Sequence, residues 1–328
     1  MSQGSGIGSG IGSEFDLIDR YFKPLACKDA GALNLGDDAA LLDIPSGQHL
    51  VVTSDALVSG VHFLDSQSPK DIAHKVVGVN LSDLAAMGAK PRAVFLAAQF
   101  PKDIQENWIA EFALGLGQAL EETGAVLMGG DTVSTPGPMA FTLTALGMVK
   151  TGQALQRNGA KSGDVLFVSG TIGDAALGLL CATGKLEENA FLLNRYARPQ
   201  PRLALGQALA EGGFATACID VSDGLLADVG HLAAMSGLGL TLRADSVPLS
   251  DPGKANLEFL EVILCGGDDY ELAFSVPPNN VSKIKALSAK LDLALTQIGV
   301  FNDNVPGVRV VDGAGQVIKF ATDGFKHF

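Results

Sequence analysis

The chain of 328 residues has few basic, aromatic and cysteine residues, and the shortages of basic residues and of cysteine each exclude a class of protein. It has 23 Lys and Arg against 36 Asp and Glu, and its net charge of −13 does not suit nucleic acid or an anionic membrane. Aromatic residues make up 6% of the chain. The four cysteines, which form no C-x-x-C pair, predict free thiols of a cytoplasmic protein rather than disulfides or a zinc site.

The sequence also lacks segments that would span a membrane or direct export. No apolar run reaches the ~20 residues of a transmembrane helix. Residues 1–13 are rich in Gly and Ser, whereas a secretory signal is basic and then apolar. We therefore expect a soluble protein, with residues 1–13 as a flexible tail outside the fold.

Common signatures of phosphate and hydrolytic chemistry are missing as well. The chain has no G-x-x-x-x-G-K-[ST] sequence, which excludes a P-loop enzyme. It has neither the catalytic-loop signature of protein kinases nor the G-x-S-x-G turn of hydrolases. Phosphate chemistry in this chain would need another arrangement of residues.

What the sequence has instead is a series of aspartates in small, apolar surroundings. Removing an isolated carboxylate from water is costly, and Lys and Arg are nearly absent from these segments. A hard cation with oxygen ligands is the simplest compensation, which predicts magnesium and phosphate chemistry. The segments are residues 36–38, 53–55, 81–83, 129–132, 220–224 and 266–271.

Each of these aspartates also has a structural alternative, because Asp beside Gly is common in turns and helix caps. Asp223 fits the N-cap of a helix that follows it, whereas Asp220 lies inside an apolar run and is harder to explain in that way. We expect Asp55 at the C-terminal end of a strand over 50–54, and Asp83 on the buried side of a helix over 71–87.

Apolar strands alternate with helical patterns, which predicts an α/β chain of two domains. A change in composition near residue 152 places an N-terminal domain at 14–151 and a C-terminal domain at 152–328. Further strands are predicted at 93–98, 125–128, 141–148, 165–170, 217–220, 272–276 and 296–300, with a helix over 106–123.

Eight motifs, in their order along the chain, resemble the thiamine-monophosphate kinases, part of the superfamily that includes aminoimidazole ribonucleotide synthetase. They lie at residues 36–40, 53–55, 60–63, 80–89, 129–132, 170–174, 220–225 and 267–271. The resemblance runs from about Glu14 to Phe328. It implies a two-domain α/β (α+β) fold, with an N-terminal mixed sheet and helices that bind ATP and magnesium and form a homodimer. A C-terminal α/β domain completes the substrate site.

The resemblance further implies ATP-dependent phosphorylation of thiamine monophosphate to thiamine diphosphate, with several Mg²⁺ ions. Matched motif by motif, the metal ligands would be Asp37, Thr53, Ser54, Asp55, Asp83, Asp131, Asp220 and Asp223. The ATP contacts would be Gly130, Asp131, Arg157 and Ser222. The substrate contacts would be His62, Glu271 and Phe325. Asp83, Asp131 and Asp220 are expected to matter most. Phe325 replaces the Trp or Tyr common at its position, so it can stack but cannot hydrogen-bond.

The chemistry of the substrate suggests direct in-line transfer. A phosphate monoester has a second pKa near ~6, so the acceptor is already ionised and needs no general base. A selenophosphate synthetase is disfavoured because Cys27 lacks the expected motif, and a hydrogenase-maturation relative would end in Cys rather than Lys326-His327-Phe328. A non-catalytic nucleotide or metal sensor could lose Glu271 and the C-terminal aromatic residue, yet both remain.

Overall fold

The structure is a computed structural model that describes residues 14–304, 307–322 and 324–325. The Gly/Ser-rich segment 1–13 lies outside these residues. In the part of the chain that is described, no helix combines the length and the apolar character needed to cross a membrane.

Helices and strands alternate along the chain, as predicted. The helices are α1 (Glu14–Leu17), α2 (Lys23–Ala26), α3 (Pro69–Ala86), α4 (Glu106–Thr123), α5 (Asp174–Ala182), α6 (Ala190–Ala197), α7 (Leu203–Gly212), α8 (Leu225–Ser236), α9 (Asp251–Lys254), α10 (Leu260–Cys265) and α11 (Val281–Leu291). The strands are β1 (Gln48–Val58), β2 (Lys90–Pro101), β3 (Val126–Thr135), β4 (Ala140–Lys150), β5 (Val165–Ser169), β6 (Ala217–Asp220), β7 (Gly239–Arg243), β8 (Leu272–Val276), β9 (Leu295–Asn302) and β10 (Gly307–Val311).

The strands form one four-stranded and one six-stranded sheet. The first has the order β1-β4-β2-β3, with β2 and β3 parallel. The second has the order β10-β7-β9-β5-β8-β6 and is mixed, because β10 runs parallel to β7 whereas the other pairs are antiparallel. Mixed sheets combined with helices confirm the predicted α/β class.

Contacts divide the chain into two compact units, each made of separate stretches of sequence. The first unit contains the described residues up to Asp43, then Ser54–Val77 and Ala93–Thr144. The second contains Ile44–Thr53, Gly78–Arg92 and the described residues from Ala145 onward. Elements β1, α3, β2 and β4 contribute residues to both. The domain boundary at residue 152 stays a prediction.

Aromatic side chains form much of the core of the first unit. The rings of Phe112 and Phe141 stack 4.5 Å apart at an interplanar angle of 9°. Trp108, one turn before Phe112 on α4, stacks on Phe112 at 5.6 Å. Phe100 meets Phe141 edge to face at 5.8 Å. Few aromatic residues are present in the chain, and this unit concentrates several of them where α4 packs on the sheet.

The six-stranded sheet of the second unit is covered on both faces. In β5, Leu166 and Val168 pack into one hydrophobic cluster, which includes residues of α5, α6 and α8. Val165 and Phe167 point to the other cluster, which includes residues of α7 and α11. Because both faces are buried, β5 is a continuous apolar run rather than an alternating one.

Helix α7 approaches α3 so closely that the contact requires glycine. A Cβ added at Gly206 would lie 1.9 Å from the carbonyl oxygen of Ala85. We expect Gly206→Ala to lower the free energy of unfolding by about 1–3 kcal/mol, because the two helices would have to separate. Urea unfolding measures this change.

The matched control is Gly230→Ala in α8, where the nearest heavy atom to an added Cβ is 3.6 Å away. That variant should gain up to about 1 kcal/mol, because alanine restricts the unfolded chain and suits a helix interior. Equal stabilities of the two variants would contradict the close contact at Gly206.

Candidate functional site

In the first unit, Gly130 and Asp131 lie within β3 rather than in a loop after it. A register shift in the β2–β3 pairing, between Val94 and Phe95, precedes the point where Leu96 pairs with Gly130. A Cβ on Gly130 would lie 1.9 Å from the Leu96 carbonyl oxygen, and the φ of Gly130 is 155°. Only glycine fits there, and it is the residue directly before Asp131.

A cavity of about 520 Å³ in the first unit is lined by Gly130, Asp131, Asp37 and Asp38. Both Asp37 and Asp38 are exposed, in the bend that the sequence predicts. The remaining lining is largely apolar: Ile18, Phe22, Ala32, Leu35, Ala39, Ala40, Phe95, Leu96, Ala98, Leu127, Met128, Gly129 and Thr132. The cavity therefore combines an apolar wall with three carboxylates, an arrangement suited to a flat apolar ring beside cation-bound phosphates.

The prediction for Asp55 was wrong in one respect. Strand β1 continues to Val58, so Asp55 lies inside the strand and not at its end. Ser54, its neighbour, shares a hydrogen bond of 3.0 Å with Thr144. Further along, His62 Nδ1 accepts a hydrogen bond of 3.0 Å from the Val58 amide, which places the proton of a neutral imidazole on Nε2.

The second unit brings Thr53, Asp83 and Asp220 close to one another. The hydroxyl of Thr53 donates to the Asp83 carboxylate. Asp83 is half-buried on α3, whereas Asp220 ends β6 and is 2% exposed. The hydroxyl of Ser82 donates to Asp220 at 2.8 Å. The sequence motif around residue 82 therefore supplies both a second carboxylate and a hydroxyl partner for Asp220.

Asp220 is a carboxyl group whose charge is poorly compensated. Burial, together with the negative charge of Asp83, raises its pKa to about 7, against smaller opposing effects from the Ser82 hydrogen bond and Arg157. A bound cation would lower the pKa of Asp220 and stabilise its charged form. The oxygen donors of Thr53, Asp83 and Asp220 suit Mg²⁺. Within the described ranges, however, no three His, Cys, Asp or Glu side chains stand together as a preformed metal site.

Arg157 lies in the loop beside β6. The carbonyl of the preceding residue, Gln156, accepts a hydrogen bond of 2.9 Å from the Cys218 amide, which fixes the loop. The Arg157 side chain is exposed, and with Thr53 and Asp83 it lines a groove of about 510 Å³. Its positive charge therefore faces the same groove as the Asp83 carboxylate.

Two loops that carry predicted site residues run side by side in the second unit. The amides of Asp268 and Tyr270 donate to the carbonyls of Ser222 and Val221 at 2.9 and 2.8 Å. The N-cap of α8 is Gly224, and Asp223 does not cap the helix as the structural alternative expected. The Asp223 carbonyl accepts from the amide of Phe325 at 2.9 Å, so the half-exposed Phe325 ring lies near this loop.

Glu271 corrects the expectation that these acidic segments lack basic partners. Its side chain is fully buried and forms ion pairs with Arg195 and Arg202. Arg202 donates through Nε at 2.6 Å and through Nη2, Arg195 donates at 2.9 Å, and the Ser169 hydroxyl donates at 2.6 Å. Gly170 leaves room for the carboxylate, since a Cβ there would be 2.2 Å from Oε1. The role of Glu271 as a substrate contact stays a prediction.

Sequence reasoning missed the residues that hold the predicted ones in place. Arg195 and Arg202 are far from Glu271 in sequence, and no local pattern links them to it. Asp228 is different, because it follows Asp220, Ser222 and Asp223 in one short motif. An Asp in the first turn of a helix commonly accepts hydrogen bonds from amides just before the helix, so this contact of Asp228 could have been predicted from the sequence.

Two family models match the chain and together cover most of it. The model for the AIR synthase related protein N-terminal domain matches residues 36–149. The model for the AIR synthase related protein C-terminal domain matches residues 161–311. The fold and both matches define an AIR synthase related protein of two domains.

Individual relatives show which family within this class the chain belongs to. The thiamine-monophosphate kinase of Salmonella typhimurium is 40% identical over 324 residues, which is 96% of this chain and 98% of the relative. The crystal structure of thiamine-monophosphate kinase from Stenotrophomonas maltophilia K279a is 42% identical, with a TM-score of 0.83 over 93% of this chain and 98% of that one. The structure of AaThiL complexed with AMPPCP and TMP is 30% identical, with a TM-score of 0.76 over 98% and 100%. The chain belongs to the thiamine-monophosphate kinase family.

The buried Glu271 network yields a stability prediction. Glu271→Gln should lower the free energy of unfolding by about 3–5 kcal/mol, because it leaves the buried guanidinium of Arg195 and the partly buried one of Arg202 without their counter-charge. Arg195 Nε and Nη1 already have no hydrogen-bond partner among the described residues. Urea unfolding of the variant measures the loss.

The control breaks an exposed ion pair, Arg243 with Asp245 at 2.9 Å, whose side chains are 52% and 45% exposed. Asp245→Asn should cost about 1 kcal/mol or less, because water screens this pair. Similar losses in the two variants would argue against a special role for the Glu271 network.

Proposed function

We propose that the chain catalyses ATP-dependent phosphorylation of thiamine monophosphate to thiamine diphosphate. The observation that carries this proposal is family membership at 40% identity over nearly the whole chain, together with the motif residues gathered in each unit. The relative complexed with AMPPCP, an ATP analogue, and TMP supports the same pair of substrates.

Mg²⁺ is proposed as the cation, and each unit offers oxygen donors of the kind that it binds. In the first unit these are Asp37, Ser54, Asp55 and Asp131; in the second they are Thr53, Asp83, Asp220 and Asp223. The raised pKa of the buried Asp220 supports a cation nearby, since a carboxyl without one would resist ionisation. When bound, Mg²⁺ neutralises phosphate charge and so lowers the repulsion between the two phosphates that react.

The chain's own residues are proposed to bind and orient the two substrates. In the first unit, Gly130 brings its main chain and Asp131 close to the nucleotide, whose flat base suits the apolar wall of the cavity. In the second, Arg157 offers a guanidinium to ATP and Ser222 a hydroxyl.

The thiamine compound is proposed to contact His62, Glu271 and Phe325. Because Nδ1 of His62 accepts the Val58 amide, Nε2–H is the donor that a neutral ring offers to a phosphate oxygen. The Phe325 ring, 49% exposed, has a face on which an aromatic ring of the substrate can stack.

The transfer is proposed to be direct, from ATP to the phosphate of the acceptor. That phosphate has a second pKa near ~6, so at neutral pH it is already a nucleophile and no side chain needs to remove a proton. Orientation and charge stabilisation then account for the rate. No phosphorylated form of the protein is part of this mechanism.

We also propose a homodimer that works in the cytoplasm. Strand β1 lies at the edge of the four-stranded sheet and exposes Val52, whose side chain is 57% exposed. An edge strand with an exposed apolar side chain is a common site of pairing between subunits. The thiols of Cys181, Cys218 and Cys265 are buried and form no disulfide among the described residues, as is typical of a protein from a reducing compartment.

The substrate assignment is tested by ADP release, measured with a coupled assay. With Mg²⁺ and ATP present, we expect thiamine monophosphate to release ADP, and thiamine and unrelated phosphate monoesters to release little. The reason is that the site must recognise both the ring system and the phosphate. ADP release that is equal for every phosphate monoester, or absent with thiamine monophosphate, would refute the assignment.

Asp83→Asn tests the cation-binding role separately. The variant should lose about 100-fold or more of kcat/KM while its circular dichroism spectrum stays unchanged, because charge near Asp220 is lost but packing is not. Asp71→Asn is the matched control on the same helix, where the Asp71 carboxylate accepts a hydrogen bond of 2.7 Å from the Ser68 hydroxyl in the first turn. Near-normal turnover of Asp83→Asn would make Asp83 a structural residue.

A further inference from the structure

The end of β6 and the loop from it to α8 carry three of the residues assigned to ATP and Mg²⁺: Asp220, Ser222 and Asp223. One carboxylate oxygen of Asp228, Oδ2, accepts the amides of Ser222 and Asp223 at 3.0 and 3.1 Å. Asp228 lies in the first turn of α8 and is 3% exposed. A single buried atom therefore sets the direction of two successive peptide groups.

The main chain of this loop cannot relax easily once those two amides are fixed. Gly224 follows with a φ of 120°, and a Cβ there would lie 2.5 Å from the carbonyl oxygen of Cys265. On the other side, a Cβ at Gly267 would lie 2.3 Å from the carbonyl oxygen of Ser222. Because the loop is closely packed on both sides, the hydrogen bonds to the Asp228 carboxylate hold the main chain of Ser222 and Asp223 in one position, and so they position both side chains.

A purely structural role does not explain why position 228 carries an Asp. Asp228 is buried, and the neighbouring carboxylates of Asp220 and Asp223 disfavour a further negative charge there. A third carboxyl beside two others is unfavourable for the fold by itself, whereas a cation bound nearby would offset the repulsion.

We propose that Asp228 is a positioning residue for Mg–ATP binding, which acts by holding the Ser222 and Asp223 amides. The inference rests on the proposed function, because it takes Ser222 as an ATP contact and Asp223 as a metal ligand. Asp228 itself touches neither the nucleotide nor the metal in this role. Supporting groups of this kind typically change metal affinity or activity by about 10–100-fold when removed.

The test compares Asp228→Asn and Asp228→Ala in the full chain. Mg–ATP is titrated without a thiamine compound, and the shift in melting temperature gives an apparent Kd. We expect the apparent Kd to rise about 10-fold for Asn, which keeps one acceptor oxygen, and up to about 100-fold for Ala. In the ADP-release assay the KM for Mg–ATP should rise in the same order, with a smaller change in the KM for thiamine monophosphate.

Asp164→Asn is the matched control. Asp164 is also 3% exposed and accepts a backbone amide, that of Lys161, at 3.0 Å and the Thr216 hydroxyl at 2.6 Å. It holds a turn that carries none of the assigned residues. We expect this variant to lower the melting temperature while its apparent Kd for Mg–ATP stays within about twofold of the wild type.

Folded Asp228 variants with the wild-type Kd would overturn the inference. If neither variant folds, hydrogen exchange in the wild type decides: the Ser222 and Asp223 amides should be protected, and exchange as fast as in an exposed loop would refute their capture by Asp228. If Mg–ATP does not shift the melting temperature of the wild type, the proposed function is overturned. That outcome differs from the one that overturns the role of Asp228, in which wild type and variants bind Mg–ATP equally well.

Discussion

Removing a carboxylate from water costs free energy, and this cost explains why the buried acidic residues of the second unit need partners. The buried carboxylates there are compensated by different kinds of partner. Glu271 is held by two guanidinium groups and a hydroxyl, and Asp228 by two backbone amides. Asp220 has one hydroxyl donor and the neighbouring Asp83 carboxylate, and burial together with that charge raises its pKa to about 7. With the Asp83 charge beside it, Asp220 is a carboxyl group that a bound cation would stabilise, which connects the packing of the unit with phosphate chemistry.

Glycines in the family motifs have a related function, because they let polar main chain approach other groups closely. Gly130 lies flat against β2 beside Asp131, and Gly170 leaves space for the Glu271 carboxylate. Gly267 lies against the Ser222 carbonyl, where two site loops share hydrogen bonds. At each point a Cβ would separate segments that must touch. The motifs combine carboxylates with glycines because the acidic groups are positioned by close main-chain contacts as well as by side chains.

Much of the local structure was predictable. The helix over 106–123 and the strands at 217–220 and 272–276 match α4, β6 and β8, since periodicity, apolar runs and Gly124 mark their limits. The position of Asp55 within a strand was not predictable, because β1 continues through polar residues that pair within the sheet. The arginine partners of Glu271 were not predictable either, since Arg195 and Arg202 lie on another helix and loop, and sequence spacing does not encode that contact.

The sequence by itself determined the class of the chain, its family and the set of oxygen ligands, because those depend on residue types and on motif order. Only the tertiary structure decided which carboxylates are compensated and by what. Burial, the approach of Arg202 to Glu271 and the capture of two amides by Asp228 arise when distant segments pack together. The free energy of a carboxylate depends on these surroundings far more than on its neighbours in the chain.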